Sequence, residues 1–176
     1  MSTDWLKKSL SKRTKAELVD VLLEFAQDDR GILRDLESRF RLEVPPKELV
    51  AATRQAIVDA TDFDERDMNR NFDYDYGAYD AVKRNFVRLI DLGHLHTVMD
   101  LSLELMGQGS YQVEMSDEGM TADDIEECLQ VVINALKRCD LSAKDITKWC
   151  MGMHKKDCVG FICDKEFQAL HDRFVA

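Results

Sequence analysis

The sequence predicts an all-α fold of about eight helices, paired as antiparallel hairpins in a helical-repeat-like α-α superhelix or an irregular bundle. Apolar residues recur at the three- and four-residue spacing of amphipathic helices along most of the chain. Strand-like alternation is scarce, and the 176 residues include only two prolines and eight glycines. Short connections between the apolar segments favour antiparallel neighbours.

A capping box marks the first long helix. Thr14 and Glu17 have the spacing at which each side chain satisfies a backbone N–H of the other residue. The helix behind them is predicted from Lys15 to Gln27. Its apolar row is predicted to be buried and consists of Leu18, Val21, Leu22 and Phe25.

Two shorter segments flank this helix. Trp5 to Leu10 forms a short amphipathic opening turn, and Ile32 to Phe40 lies in a second helix. That helix must end before Pro45, because a residue that precedes proline avoids the helical region. We therefore predict a single all-helical domain over the whole chain, with an N-terminal helical pair at 1–44 and a main helical array at 46–176.

The main array is organised around a hairpin of two helices. The first, Ala78 to Leu92, is predicted to end at Gly93, since glycine enters the left-handed cap conformation without steric cost. The second, His94 to Met106, is apolar on more than one side and is predicted to stop at Gly107. Its most buried residues are predicted to be Leu95, Val98, Met99, Leu101, Leu103 and Leu105.

The remaining helices of the array follow from local signals. Pro46 suits the first position of a helix that reaches Thr61. The segments 62–76 and 108–119 lack a helical period and are predicted to be irregular connections. The last three helices are predicted to begin near capping or acidic residues, namely Thr121, Ser142 and Asp164.

The net charge of the chain limits the classes of molecule that it can bind. Its 34 acidic and 24 basic residues give a net charge of −10, which disfavours direct binding to nucleic acid. A basic cluster near the start is read as a solvated first turn and consists of Lys7, Lys8, Lys12, Arg13 and Lys15. No signal-peptide core and no run of roughly 20 apolar residues is visible. We expect a cytoplasmic protein that does not bind membranes and keeps its five cysteines reduced.

Four short motifs in the main array support a resemblance: Asp73-Tyr74, Leu89 to His94, Ser116 to Gly119, and Trp149 followed by Asp157. With them, the part from Pro46 to Phe174 resembles the helical region downstream of the zinc finger in bacterial SWIM zinc-finger proteins. The metal motif of that family, two cysteines flanking one residue and later a cysteine and a histidine flanking one residue, does not occur here. The resemblance implies a bacterial, all-helical interaction domain in a nucleic-acid-linked context, and it names no substrate.

The C-terminal cysteines are the first candidate site. Cys150, His154 and Cys158 lie at offsets of four and eight, with Cys163 nearby, and thiolates and imidazole are zinc ligands. Two glycines interrupt a continuous helix there, no Cys-x-x-Cys pair is present, and free cysteine often fills apolar positions. We therefore expect no metal and no other cofactor, and we keep these four residues as weak metal candidates.

The second candidate site is an acidic and aromatic stretch. Its members are Asp73, Tyr74, Asp75, Tyr76 and Asp80. An EF-hand frame that begins at Asn71 places the required glycine at position seven instead of six, so a calcium loop is not expected. Aromatic residues mixed with charges are common at protein interfaces. The competing interpretation is that the rings pack onto the central hairpin, and at least two of Phe72, Tyr74, Tyr76 and Tyr79 are expected to do so.

These observations predict a non-enzymatic helical protein–protein interaction module whose partner is another protein of basic character. No catalytic residue is assigned. Two alternatives stay open: an accessory or regulatory factor in a nucleic-acid-linked system, and an enzyme with a metal or cysteine site near the C-terminus. The oligomeric state is left open.

Overall fold

A computed structural model of the chain describes residues 4–40, 45–63, 74–116 and 122–175. All regular structure in these ranges is helical, which confirms the predicted all-α class. The helices are α1 (Asp4–Leu10), α2 (Lys15–Asp28), α3 (Arg30–Phe40), α4 (Pro46–Thr61), α5 (Tyr76–Asp91), α6 (Leu95–Met115), α7 (Asp123–Leu136), α8 (Ala143–Lys156) and α9 (Asp164–Val175). None of them is long and apolar enough to cross a membrane.

The chain divides into two compact units. The N-terminal unit, Met1–Glu43, contains α1 to α3, and the C-terminal unit, Val44–Ala176, contains α4 to α9. The described residues of the N-terminal unit form three helices, because the predicted opening turn is a helix of its own.

The N-terminal unit keeps its predicted cap but not its predicted core. Thr14 Oγ1 accepts a hydrogen bond from the Glu17 N–H at 3.2 Å, and the Glu17 carboxylate accepts one from the Thr14 N–H at 2.7 Å. The prediction that the apolar row of α2 is buried is wrong: Leu18 is half-buried, and Val21, Leu22 and Phe25 are exposed. Three short helices offer too little surface to surround such a row.

Helix α6 lies at the centre of the C-terminal unit, where the described helices α4, α5, α7 and α8 pack on it. Of its six predicted core residues, Val98, Met99, Leu101 and Leu105 are buried. Leu95 and Leu103 are only partly buried, since Leu95 opens the helix and Leu103 lies at its edge against Gly152 of α8.

The predicted end of this helix at Gly107 is wrong, and so is the irregular connection predicted from 108, because α6 continues to Met115. Glycine in a helix interior costs about 1 kcal/mol relative to alanine, but packing can override that preference. Helix α7 approaches α6 closely at Gly109, since a Cβ there would stand 2.8 Å from Cδ1 of Ile125. The glycine thus allows two helices to meet and does not end one.

The turn from α5 into α6 follows the sequence prediction. Gly93 has a φ of +82°, and its N–H donates to the carbonyl of Ile90 at 2.9 Å. The N–H of His94 donates to the carbonyl of Leu89 at 2.8 Å. These two bonds form a Schellman cap, which satisfies the last carbonyls of α5.

Helices α7, α8 and α9 complete the core of the C-terminal unit. The apolar rows of α7 and α8 are buried, and Trp149 of α8 meets Phe167 of α9 edge to face, with ring centroids 5.4 Å apart. Between these helices, the two carboxylate oxygens of Asp157 accept hydrogen bonds from the N–H groups of Val159 and Ile162, each at 3.0 Å. The carboxylate thereby organises the turn that leads to α9.

We predict opposite effects for two glycine-to-alanine substitutions in α6. Gly107→Ala meets only the flexible Lys156 side chain, at 3.3 Å, so it should gain about 0.5–1 kcal/mol of helix propensity. Gly109→Ala should destabilise by about 1–3 kcal/mol, because the fully buried Ile125 leaves no room for the new methyl group.

Urea unfolding of both variants and of the unchanged protein measures the difference. A Gly109→Ala protein as stable as the Gly107→Ala protein would show that α6 and α7 do not approach closely at this point.

Candidate protein-binding edge

The acidic and aromatic stretch reaches α5 through a capping residue. The Asp75 carboxylate accepts a hydrogen bond from the Ala78 N–H at 2.9 Å, so it satisfies one of the first backbone donors of α5. Its predicted role as a partner-binding residue is therefore shared with a structural one. Asp73, the first residue of the predicted site, lies outside the described residues.

Tyr74 anchors the start of α5 to the start of α7. Its hydroxyl donates a hydrogen bond to Oδ2 of Asp124 at 2.7 Å, and its ring meets that of Tyr79 edge to face at a centroid distance of 5.8 Å. Desolvation by burial and the hydrogen bond to Asp124 raise the pKa of Tyr74, so the hydroxyl stays protonated and can donate. The side chain is half-buried and packs against the core.

The three described tyrosines of this region differ in exposure. Tyr79 is buried, Tyr74 is half-buried, and Tyr76 is 59% exposed. The rings of Tyr74 and Tyr76 lie 4.1 Å apart, so the exposed ring rests on the anchored one. Tyr79 and Tyr74 thus pack inward as expected, while Tyr76 presents its ring to solvent. Asp80 is also exposed, one helical turn after Tyr76.

Acidic residues of α7 join this surface. Burial raises the pKa of the Cys128 thiol to about 12, and Lys83 acts in the opposite direction. Asp124, Glu127 and Asp80 raise it further, because these carboxylates of α5 and α7 lie close enough to act on the buried thiol.

One of these carboxylates, that of Glu127, has a basic partner at close range. The Lys83 ammonium of α5 lies 2.7 Å from Oε2 of Glu127. We call the resulting surface the acidic-aromatic edge and define it by Tyr74, Tyr76, Asp80, Asp124 and Glu127.

Sequence reasoning missed the two α7 members of the edge. Asp124 and Tyr74 are fifty positions apart, and only the packing of α5 on α7 brings them together. The acidic first turn of α7, which includes Asp123, Asp124 and Glu126, is a visible signal. On its own it indicates a favourable helix start and says nothing about a neighbour.

A buried hydrogen-bond pair supports the edge from below. The Tyr79 hydroxyl donates to Oε1 of Gln112 at 2.7 Å, and Nε2 of Gln112 donates to the Ala60 carbonyl at 3.0 Å. This chain of bonds joins α5, α6 and α4. Because both polar side chains are buried, their geometry is fixed by the cost of leaving either one unpaired.

The four weak metal candidates are distributed over different environments. Cys150 and Cys163 are buried, and burial raises the pKa of their thiols to about 11 and about 12 respectively, which disfavours the thiolate that binds metal. His154 Nδ1 lies 3.4 Å from a carboxylate oxygen of Asp164, while Cys158 is exposed. Across the described part of the chain, no three His, Cys, Asp or Glu residues are grouped so that they could hold a metal ion.

A shallow cavity of about 200 Å³ lies elsewhere in the C-terminal unit, between the end of α4 and α6. Its lining includes Phe63 and Tyr111, whose ring centroids are 6.0 Å apart. The Thr61 hydroxyl lies 3.0 Å from Oε1 of Gln108, so the polar groups at its wall already interact with each other. The cavity therefore offers mainly a small apolar surface.

The described helices define an all-α fold, and its acidic-aromatic edge presents the exposed Tyr76 ring on the anchored Tyr74 ring. Comparisons with known protein families, with characterised proteins and with solved structures found no match to this chain. The function proposed below therefore depends on the geometry of the chain itself.

We predict that the two inward-facing tyrosines differ in their contribution to stability. Tyr79→Phe leaves Gln112 Oε1 buried without its donor and should cost about 1–3 kcal/mol. Tyr74→Phe should cost about 0.5–1.5 kcal/mol, because Asp124 is only half-buried and water can replace the lost donor. Urea unfolding at neutral pH measures both values.

The pH dependence provides a control. Burial raises the pKa of Tyr79 above its ordinary value, so the protonated hydroxyl stabilises the fold below about pH 10 and this contribution falls as the pH rises further. The unchanged protein should lose more stability between neutral and strongly alkaline pH than the Tyr79→Phe protein. Equal losses would contradict a buried, protonated Tyr79.

Proposed function

We propose that the protein is a non-enzymatic helical protein–protein interaction module, and that its acidic-aromatic edge binds a basic segment of another protein. The observation that carries the proposal is the exposed ring of Tyr76, which rests on Tyr74, itself tied to Asp124. An aromatic residue held in this way at a helix start resembles the rigid anchors that dominate binding energy at protein interfaces.

The side chains packed beneath the Tyr76 ring favour tight binding of a partner. Immobilising a side chain on binding costs about 0.5–1.5 kcal/mol, and a side chain already restrained by its neighbours loses less. Tyr74 packs against Tyr79, which is hydrogen-bonded to Gln112 in α6, so these three side chains connect the exposed ring to the core. A partner would therefore meet a preorganised surface.

The charge of the C-terminal unit favours a basic partner. This unit contains 25 acidic and 15 basic residues, whereas the N-terminal unit contains nine of each, so the whole net charge of −10 belongs to the C-terminal unit. Such a field accelerates encounter with a basic partner and weakens at high salt. It also repels nucleic acid backbones, so a nucleic-acid-linked role of the kind implied by the SWIM resemblance would act through a protein.

The experiment compares an edge variant with a matched control. The edge variant combines Tyr76→Ala with Asp80→Asn and leaves the Asp75 cap in place. The control combines Tyr111→Ala with Asp91→Asn, an exposed tyrosine and an exposed aspartate elsewhere in the C-terminal unit. Partners captured from native extract by the unchanged protein are identified, purified and titrated against all three proteins.

We expect the edge variant to bind the purified partner at least about tenfold more weakly, the loss of one interface anchor, and with a flatter salt dependence. The control should bind like the unchanged protein, and the thermal stability of the edge variant should change little. A partner that binds the edge variant with undiminished affinity would exclude this edge as its binding surface.

A further inference from the structure

The N-terminal unit exposes far more apolar surface than its size explains. Among the described residues, its exposed large apolar side chains are Trp5, Leu6, Leu10, Val19, Val21, Leu22, Leu23, Phe25 and Leu33. The described residues of the larger C-terminal unit include seven exposed large apolar side chains. Ala26 is the one buried residue among the described side chains of the N-terminal unit. Apolar surface concentrated in this way marks a site of association.

Helix α2 contributes most of this surface. One apolar stripe contains Leu18, Val21, Leu22 and Phe25, and a second stripe beside it contains Val19, Leu23 and Ala26. A helix with apolar residues around so wide an arc is typical of a helix packed on more than one side. Within its own unit α2 packs on α3, and both stripes still keep exposed residues.

The exposed surface is large enough for a stable interface. Nine side chains that are 40 to 69% exposed offer on the order of 800 Å² of apolar surface, close to what one partner contributes to a standard interface. The α1 side adds an open apolar groove of about 380 Å³ lined by Leu6, Leu10 and Leu18.

Charge indicates which partner fits. The N-terminal unit has nine basic and nine acidic residues, so a strongly charged partner gains no net attraction from it. Two copies of this unit can approach without net repulsion between them. The acidic residues of α2 also make an anionic membrane surface a poor match, since Glu17, Asp20 and Glu24 flank its apolar stripes.

The order of charges along α2 is self-complementary. Three basic residues, Lys12, Arg13 and Lys15, lie just before the helix or at its first residue, where Glu17 is the one acidic residue. The second half of the helix contains the acidic residues Glu24 and Asp28 and no basic residue. In an antiparallel pair of α2 helices, the basic end of each copy meets the acidic end of the other. A two-fold axis repeats this match on both sides, as in the isologous interfaces of most homodimers. A parallel pair would bring like charges together.

We propose that two copies of the chain associate through their N-terminal units, with α2 of one copy packed antiparallel to α2 of the other. The occupant of the exposed apolar surface is thus a second copy of the same chain. This inference uses residues of the N-terminal unit only and goes beyond the function proposed for the acidic-aromatic edge. Dimerisation would present that edge twice, which would strengthen binding to a partner with repeated basic segments.

The first test measures the mass of the full-length protein by sedimentation across a wide concentration range. We expect a monomer–dimer equilibrium that Val21→Glu shifts strongly towards monomer. The matched control is Val87→Glu on α5, because Val21 and Val87 are 44% and 42% exposed on helices of different units. This control should dimerise like the unchanged protein. Circular dichroism should show that both variants have the helix content of the unchanged protein.

A second test uses exposed charges, so it stands even if Val21→Glu fails to fold. Lys12→Glu with Lys15→Glu, and separately Glu24→Lys with Asp28→Lys, should each weaken the dimer several-fold at low salt. Combining all four changes should restore it, because the reversed ends again match in the antiparallel pair.

Three results would overturn the proposal. The first is a monomer at every concentration, which would mean that another surface covers the apolar residues. The second is a dimer that responds to Val87→Glu and not to Val21→Glu. The third is a fourfold charge variant that dimerises no better than either double variant.

Discussion

The C-terminal unit depends on a single constraint: α6 packs against four neighbouring helices, and the polar side chains that this packing buries must find partners there. Ser102 accepts a hydrogen bond from the Trp149 indole at 3.1 Å, and Ser110 accepts one from the Cys158 N–H at 3.1 Å. Gln112 binds Tyr79 and the Ala60 carbonyl. Since an unpaired buried polar group costs about 1–3 kcal/mol, each of these side chains fixes the position of another element.

The candidate function follows from the same constraint. Gln112 fixes Tyr79, Tyr79 supports Tyr74, and Tyr74 holds Tyr76 in its exposed position while reaching Asp124 on α7. A binding surface formed only by a flexible loop would lose conformational entropy when it binds a partner. Here packing against the core already restrains the Tyr76 ring, so the buried helix α6 supports the acidic-aromatic edge.

The sequence predicted what depends on near neighbours. Helical periodicity, the Thr14 capping box and the Gly93 cap all involve residues within a few positions, and all three are present in the structure. It did not predict what depends on distant contacts. Gly107 was predicted to end the helix and Gly109 to lie in an irregular connection, because the sequence does not show that Ile125 packs on Gly109. Nothing near Tyr74 in the sequence points to Asp124. The apolar period of α2 likewise predicts burial without showing what covers it.

Native-state hydrogen exchange of the full-length chain tests the central role of α6 most directly. If the other helices of the C-terminal unit depend on it, the amides from Val98 to Val113 should exchange only by global unfolding and should be the slowest in that unit. Amides of α4 or α8 that remain protected after those of α6 have exchanged would contradict this account, because they would show a core that persists without its central helix.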